Sequence, residues 1–233
     1  MDTFTLRTIA RIRTGFPTKF GLPRQSGVAP SLGGTVVFEP TYRDAEALRG
    51  LDGYSHLWLI WGFSAGFSAG SARDWSPTVR PPRLGGNTRM GVFATRSPNR
   101  PNPLGLSLVK LEGICTDTPD GPVLLVSGID MMDGTPIYDI KAYLPHVESV
   151  PDAVGGFAVE QSGSRLSVEI PEALSAALPA DYITALTEVL RDDPRPSYQH
   201  DPERVYGFPF GGYEVKFRVV ESTAAVCDIR PIT

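Results

Sequence analysis

At 233 residues, with 41% hydrophobic and 21% charged side chains, the chain has the make-up of a globular protein long enough to bury a sizeable core. Its longest apolar run, Leu57 to Phe63, is too short to span a bilayer and no apolar segment follows Met1, so neither a membrane anchor nor a secretory signal is expected, and the cytoplasm is the expected location. The net charge of −4 hides an asymmetry: residues 1–110 hold 14 Lys and Arg against 6 Asp and Glu, whereas residues 111–233 hold 8 against 20.

In chain order, Phe4 to Ile12 alternates and predicts a first strand, and Gly15 to Gly27, broken by prolines and glycines, predicts a long loop carrying Lys19, Arg24 and Gln25. Gly34 to Glu39 predicts a second strand. Thr41 with Asp44 resembles a capping box for a short helix over 44–49 that stops at Gly50. Tyr54 to Phe63 predicts a buried third strand in which His56 interrupts apolar neighbours; residue type alone reads it as a core histidine. The FSAG tandem that follows predicts a flexible loop, and Pro77 to Arg89 predicts an extended basic arm.

The densest polar motif is MGVFATRSPNRPNPLGL, Met90 to Leu106. Pro98, Pro101 and Pro103 hold their neighbours extended, so Arg96, Asn99, Arg100 and Asn102 sit on a stiff loop suited to a ligand or to a plain strand connection. Strands are expected at 90–95, 105–114, 122–129 and 135–140. About seven short strands with one small helix predict a mainly β, barrel-like N-terminal domain. Residues 145–163 read as a boundary, followed by a strand at 165–170, helical pieces at 172–178 and 180–190, the proline-stiffened DDPRPSY turn, and strands at 213–220 and 224–229. The division expected is 1–155 for the barrel and 156–233 for a small α+β appendage.

From Arg73 to Lys110 there are seven basic residues and one acidic residue, Asp74, and six of the seven are arginine, the side chain that best matches phosphate or carboxylate. Dinucleotide, phosphate-loop, hydrolase and metalloprotease motifs are missing from the sequence. His56, His146 and His200 do not fall at metal-ligand spacings, Asp130, Asp133 and Asp139 lack the calcium-loop pattern, and Cys115 and Cys227 form no C-x-x-C, so no metal and no disulfide framework is expected. On the strand after Asp133-Gly-Thr-Pro, alternation puts Ile137, Asp139, Lys141 and Tyr143 on one face, with Asp139 and Lys141 about 7 Å apart.

PRQ (23–25), RGLDGYSHLWLI (49–60), PTVRPPRLGGNTRMGVFATRSPNRPNPLG (77–105), DGTPIYDIKAYLP (133–145) and DPRPSY (193–198) together resemble the TrmO-type family of S-adenosylmethionine-dependent tRNA adenine-N6 methyltransferases, in order over most of the chain. The resemblance implies a homodimeric β-barrel enzyme that methylates N6 of threonylcarbamoyl-adenosine beside the anticodon of threonine tRNA. It implies a cofactor site formed by Pro23, Arg24, Gln25, His56, Leu57, Arg96, Leu106 and the turn Ile129, Asp130, Met131, Met132 and Asp133. This raises His56 from core residue to site residue. Either Arg24 or Arg96 suits the cofactor carboxylate, and Asp130 or Asp133 its positive groups. Because a ureido nitrogen attacks poorly until its proton is leaving, an acceptor is needed; Asp139, beside Lys141 and Tyr143, is the expected one, with His56 next and Lys141 facing the threonyl carboxylate. Arg80, Arg83, Arg89, Arg100, Asn102 and Arg195 are the expected RNA contacts. The rival readings are a non-catalytic RNA-binding module and a methyltransferase for a small molecule.

Overall fold

In the computed structural model, residues 4–63, 75–81, 84, 87–160, 165–196, 199 and 201–232 are described. The FSAG loop at 64–74, Arg83 and His200 lie outside them.

Alternation along six strands closes a barrel. β1 (Ala10–Thr14), β2 (Gly33–Phe38), β3 (His56–Gly62), β6 (Leu104–Cys115), β7 (Val123–Ser127) and β8 (Pro136–Ala142) run in the order β1-β2-β7-β6-β3-β8, every pairing antiparallel. One phase of each strand points inward and fills the interior: Ile12, Val36, Leu57, Leu59, Val109, Leu124, Val126 and Ile137 are all buried. The first strand starts at Ala10 rather than Phe4, which is exposed.

The expected strand over 90–95 is corrected. Only β5 (Met90–Gly91) pairs, with β4 (Thr78–Val79), in a ribbon apart from the barrel, so the barrel closes with six strands. Val92 to Ala94 then wind into a 3₁₀ turn, because Val92 is buried and both the N–H and the hydroxyl of Thr95 close back on its carbonyl. The capping box at Thr41 is likewise corrected: Asp44 is the cap, its Oδ1 accepting from Glu46 N at 3.0 Å ahead of the 3₁₀ turn Ala45–Leu48.

Beyond the barrel, β10 (Tyr206–Phe210), β11 (Tyr213–Val220), β12 (Thr223–Pro231) and β9 (Ser167–Glu169) form a second sheet in that order, and the helix Ala180–Arg191 buries Ala185, Leu186, Val189 and Leu190. Sequence reading missed β10 because it contains Pro209, which an edge strand tolerates. The loop after β1 joins the two units. Phe16 lies 4.8 Å from the Phe210 ring and 6.3 Å from Phe208, and Gly21, at φ +89°, passes under Phe208 where any Cβ would overlap the ring.

Candidate functional site

Two glycines bring distant loops together at one end of the barrel. Gly27 and Gly128 both adopt positive φ, and Gly27 N donates to Gly128 O at 2.8 Å, which lays the 23–27 loop over the 129–133 turn. The turn is itself stitched to β1: Asp133 Oδ1 accepts from Thr14 N at 2.9 Å and Asp133 N donates to Phe16 O. In this arrangement the Ser26 N–H reaches the Asp130 carboxylate.

Asp130 ends a hydrogen-bonded chain that starts inside the barrel. Trp61 Nε1 donates to Ser107 Oγ at 2.9 Å, and the Ser107 hydroxyl donates to Asp130 Oδ1 at 2.5 Å. Ser107 is fully buried, and Trp61 reaches it because Gly105, its cross-strand partner, has no side chain: a Cβ there would overlap the indole. Burial pushes the Asp130 carboxyl above the usual carboxylate range, opposed by Ser107, the backbone N–H groups of Ser26 and Asp130, and the charge of Arg96. The result is a desolvated carboxylate held in place by donors, with a guanidinium nearby.

That guanidinium sits on the stiff loop. Arg96 is exposed and donates from Nη1 to Gln25 Oε1 at 2.6 Å, its one hydrogen bond among the described residues, which leaves the rest of the fork to an anion. Arg24 points elsewhere, donating from Nη2 to the Arg195 carbonyl at 3.1 Å. Pro23 is buried beneath the loop, while Ile129 and Met131 turn their buried side chains into the core and present only backbone.

Other expected residues lie apart from this cluster. Leu57 is fully buried in the barrel core, whereas Leu106 is 49% exposed on the outer wall. His56 stands five residues before Trp61 on β3, roughly 16 Å of strand. It bonds Ser55 Oγ through Nδ1 at 2.9 Å and lies 6.3 Å from the Tyr143 ring, which also meets Trp58. Asp139 and Lys141 pair with each other at 3.2 Å on the outer face, 48% and 65% exposed. The shared face expected for Ile137 and Asp139 is corrected: a bulge opposite Ile60 and Trp61 takes up Tyr138, so Ile137 and Ile140 both pack on the core while Asp139 turns out.

Of the expected RNA contacts, Arg80, Arg89 and Asn102 are exposed. Arg100 is half-buried and donates to the Thr95 carbonyl at 3.3 Å, locking its own loop. Arg195 is buried, and its Nε and Nη2 both bond the Asp193 carboxylate at 2.8 Å, so it pins the loop whose carbonyl holds Arg24. Sequence reading missed Ser107, Trp61 and Ser26. Ser107 left a signal, a hydroxyl in the inward phase of LGLSLVKL; the other two left none.

Comparison with known proteins follows the same outline. The family model described as tRNA-methyltransferase O N-terminal domain matches residues 11–149, and that of the TrmO C-terminal domain matches 164–232. A tRNA (adenine(37)-N6)-methyltransferase of Escherichia coli (strain K12) is 38% identical over 99% of this chain and 100% of its own. A putative S-adenosylmethionine-dependent methyltransferase of Pseudomonas aeruginosa is 40% identical over 88% of each. A crystal structure of TrmO superposes with a TM-score of 0.78 at 32% identity, covering 98% of this chain and all of that one.

Proposed function

The chain belongs to the tRNA-methyltransferase O family, and from that membership we propose that it transfers a methyl group from S-adenosylmethionine to N6 of threonylcarbamoyl-adenosine beside the anticodon of threonine tRNA. Residues 1–155 carry the cofactor and catalytic site in this reading and 156–233 form the appendage. The enzyme works as a cytoplasmic homodimer. The exposed Leu104 and Leu106 on the barrel wall support an assembled form, and among the described residues no helix is long and apolar enough to cross a membrane.

The observation that carries the reading is the convergence of Arg96, Gln25, Ser26, Ser107 and Asp130 at one barrel end. It fits the cofactor. The open edge of the Arg96 fork suits the methionyl carboxylate, backbone oxygens of the 129–133 turn suit its ammonium and sulfonium charges, and Gln25 fixes the guanidinium. S-adenosylmethionine, when bound, supplies an electrophilic methyl carbon. The protein must then align the acceptor nitrogen and take its proton. Burial supports Asp130 over Asp139 for that step, since a desolvated carboxylate is the stronger base, whereas Asp139 is exposed and ion-paired. Lys141 pairs with Asp139 and lies opposite Trp58 towards the His56 end of β3, so the threonyl carboxylate of a nucleotide held at Asp130 is left to other groups.

Arg96→Ala is expected to weaken S-adenosylmethionine binding roughly 10- to 150-fold in titration calorimetry, the loss of one charge-assisted hydrogen bond. Unchanged affinity would remove Arg96 from the site. Replacing Arg80, Arg83 and Arg89 together by Ala is expected to flatten the slope of log tRNA affinity against log salt by about two to three units with cofactor binding retained, since each lost phosphate contact removes about 0.7–0.9. A slope equal to that of the parent would assign the arm to structure.

A further inference from the structure

Two aromatic rings stand exposed, and no step above uses them. Phe93 is 73% exposed and Trp75 is 38% exposed, and their ring centroids lie 6.0 Å apart at an interplanar angle of 33°. Their exposure follows from the local fold. In the 3₁₀ turn Val92–Ala94 successive side chains point about 120° apart, so burying Val92 drives Phe93 outward. Val92 N donates to Pro77 O at 2.9 Å, which ties this turn to the segment bearing Trp75. The pair is therefore held together by backbone pairing across the β4–β5 ribbon.

The electrostatic setting identifies the partner. No carboxylate occurs in the sequence between Asp74 and Glu112, while Arg80, Arg83, Arg89, Arg96 and Arg100 all fall within it. Exposed π-faces among arginines suit a nucleic acid whose bases are unpaired: the rings take the base and the guanidinium forks take the phosphates. Position narrows the choice further. Phe93 lies three residues from Arg96, whose guanidinium holds Gln25 in the cluster with Asp130, so the rings lie close in sequence to the site in which the target nucleoside is treated. A nucleotide entering that site leaves its stack, and the base next to it loses a neighbour.

We propose that Trp75 and Phe93 form a stacking platform for an unpaired base of the RNA loop, adjacent to the nucleotide that enters the site. The platform rests on the tRNA methyltransferase reading and adds a base contact to it.

The test compares the parent protein with Phe93→Leu, Phe93→Trp and Trp75→Leu, using a synthetic anticodon-type RNA hairpin and a blunt duplex of the same length. Phe93→Leu keeps apolar bulk and removes the π-face at an exposed position, so folding is not at issue. It is expected to weaken hairpin binding roughly 5- to 150-fold, the range for one lost base–aromatic stack, with the salt slope and duplex binding unchanged. Phe93→Trp restores affinity. The parent's tryptophan fluorescence is quenched by the hairpin, and Trp75→Leu reduces that quenching to whatever the half-buried Trp58 contributes, since Trp61 is buried. Parent protein that fails to bind the hairpin overturns the tRNA reading and the platform together. Parent binding with full affinity in Phe93→Leu overturns the platform alone. A shift of that variant's monomer–dimer balance in sedimentation, with hairpin affinity intact, assigns the rings to an interface between copies instead.

Discussion

Asp130→Asn is expected to lower single-turnover methyl transfer by about 10²-fold or more at saturating cofactor and tRNA, the usual loss for a general base, whereas Asp139→Asn changes it by no more than about threefold. Asn keeps the shape of the side chain and its oxygen can still accept from Ser107, while its amide nitrogen can neither take a proton nor accept from the backbone N–H groups that meet the carboxylate. The pH profile supplies the second readout. Because burial raises the Asp130 carboxyl, transfer falls as pH drops through a value above the ordinary carboxylate range, and this acid limb is absent in Asp130→Asn. Ser107 lowers the same carboxyl, so Ser107→Ala moves the limb to higher pH. Stability carries the opposite sign. A carboxyl that is harder to ionise in the folded state gives stability that is fully present below the unfolded value and is lost as pH rises through the folded one. Parent protein should therefore lose thermal stability relative to Asp130→Asn as pH rises through that window. Near-normal transfer by Asp130→Asn from pH 6 to 9 would show that proximity alone drives the reaction.

Gly105→Ala has the larger structural consequence. The added methyl overlaps the Trp61 indole, which has no free volume to retreat into because it is itself buried against the barrel interior and lies 4.5 Å from the Phe63 ring. Overpacking of this kind costs about 1–3 kcal/mol. Displacing the indole also removes the donor from Ser107 and loosens the hydroxyl that orients Asp130, so transfer falls together with stability. Trp61→Leu in the same background relieves the overlap. The two substitutions combined should then cost less than their sum by about 0.5–3 kcal/mol in urea unfolding, and strictly additive costs would show that Gly105 and Trp61 do not share this space.

The amino-acid pattern by itself determined the local elements. Alternation located the six barrel strands, prolines marked the stiff loop bearing Arg96, and the order of motifs over most of the chain pointed to the family. Tertiary structure decided what local pattern leaves open. A period of two says which residues share a face only while pairing stays in register, and the bulge at Tyr138 reversed that phase between Ile137 and Asp139. Residue type marked Arg195 as a phosphate ligand, yet whether an arginine meets solvent depends on what packs over it, and the carboxylate of Asp193 claimed it. The Trp61–Ser107–Asp130 chain joins three strands or turns far apart in sequence, and the Gly27–Gly128 hydrogen bond that sets the loop above it spans much of the barrel domain. Such contacts arise only when the sheet closes on itself, because closure fixes which inward positions of separate strands meet, and no property of a single strand encodes that meeting.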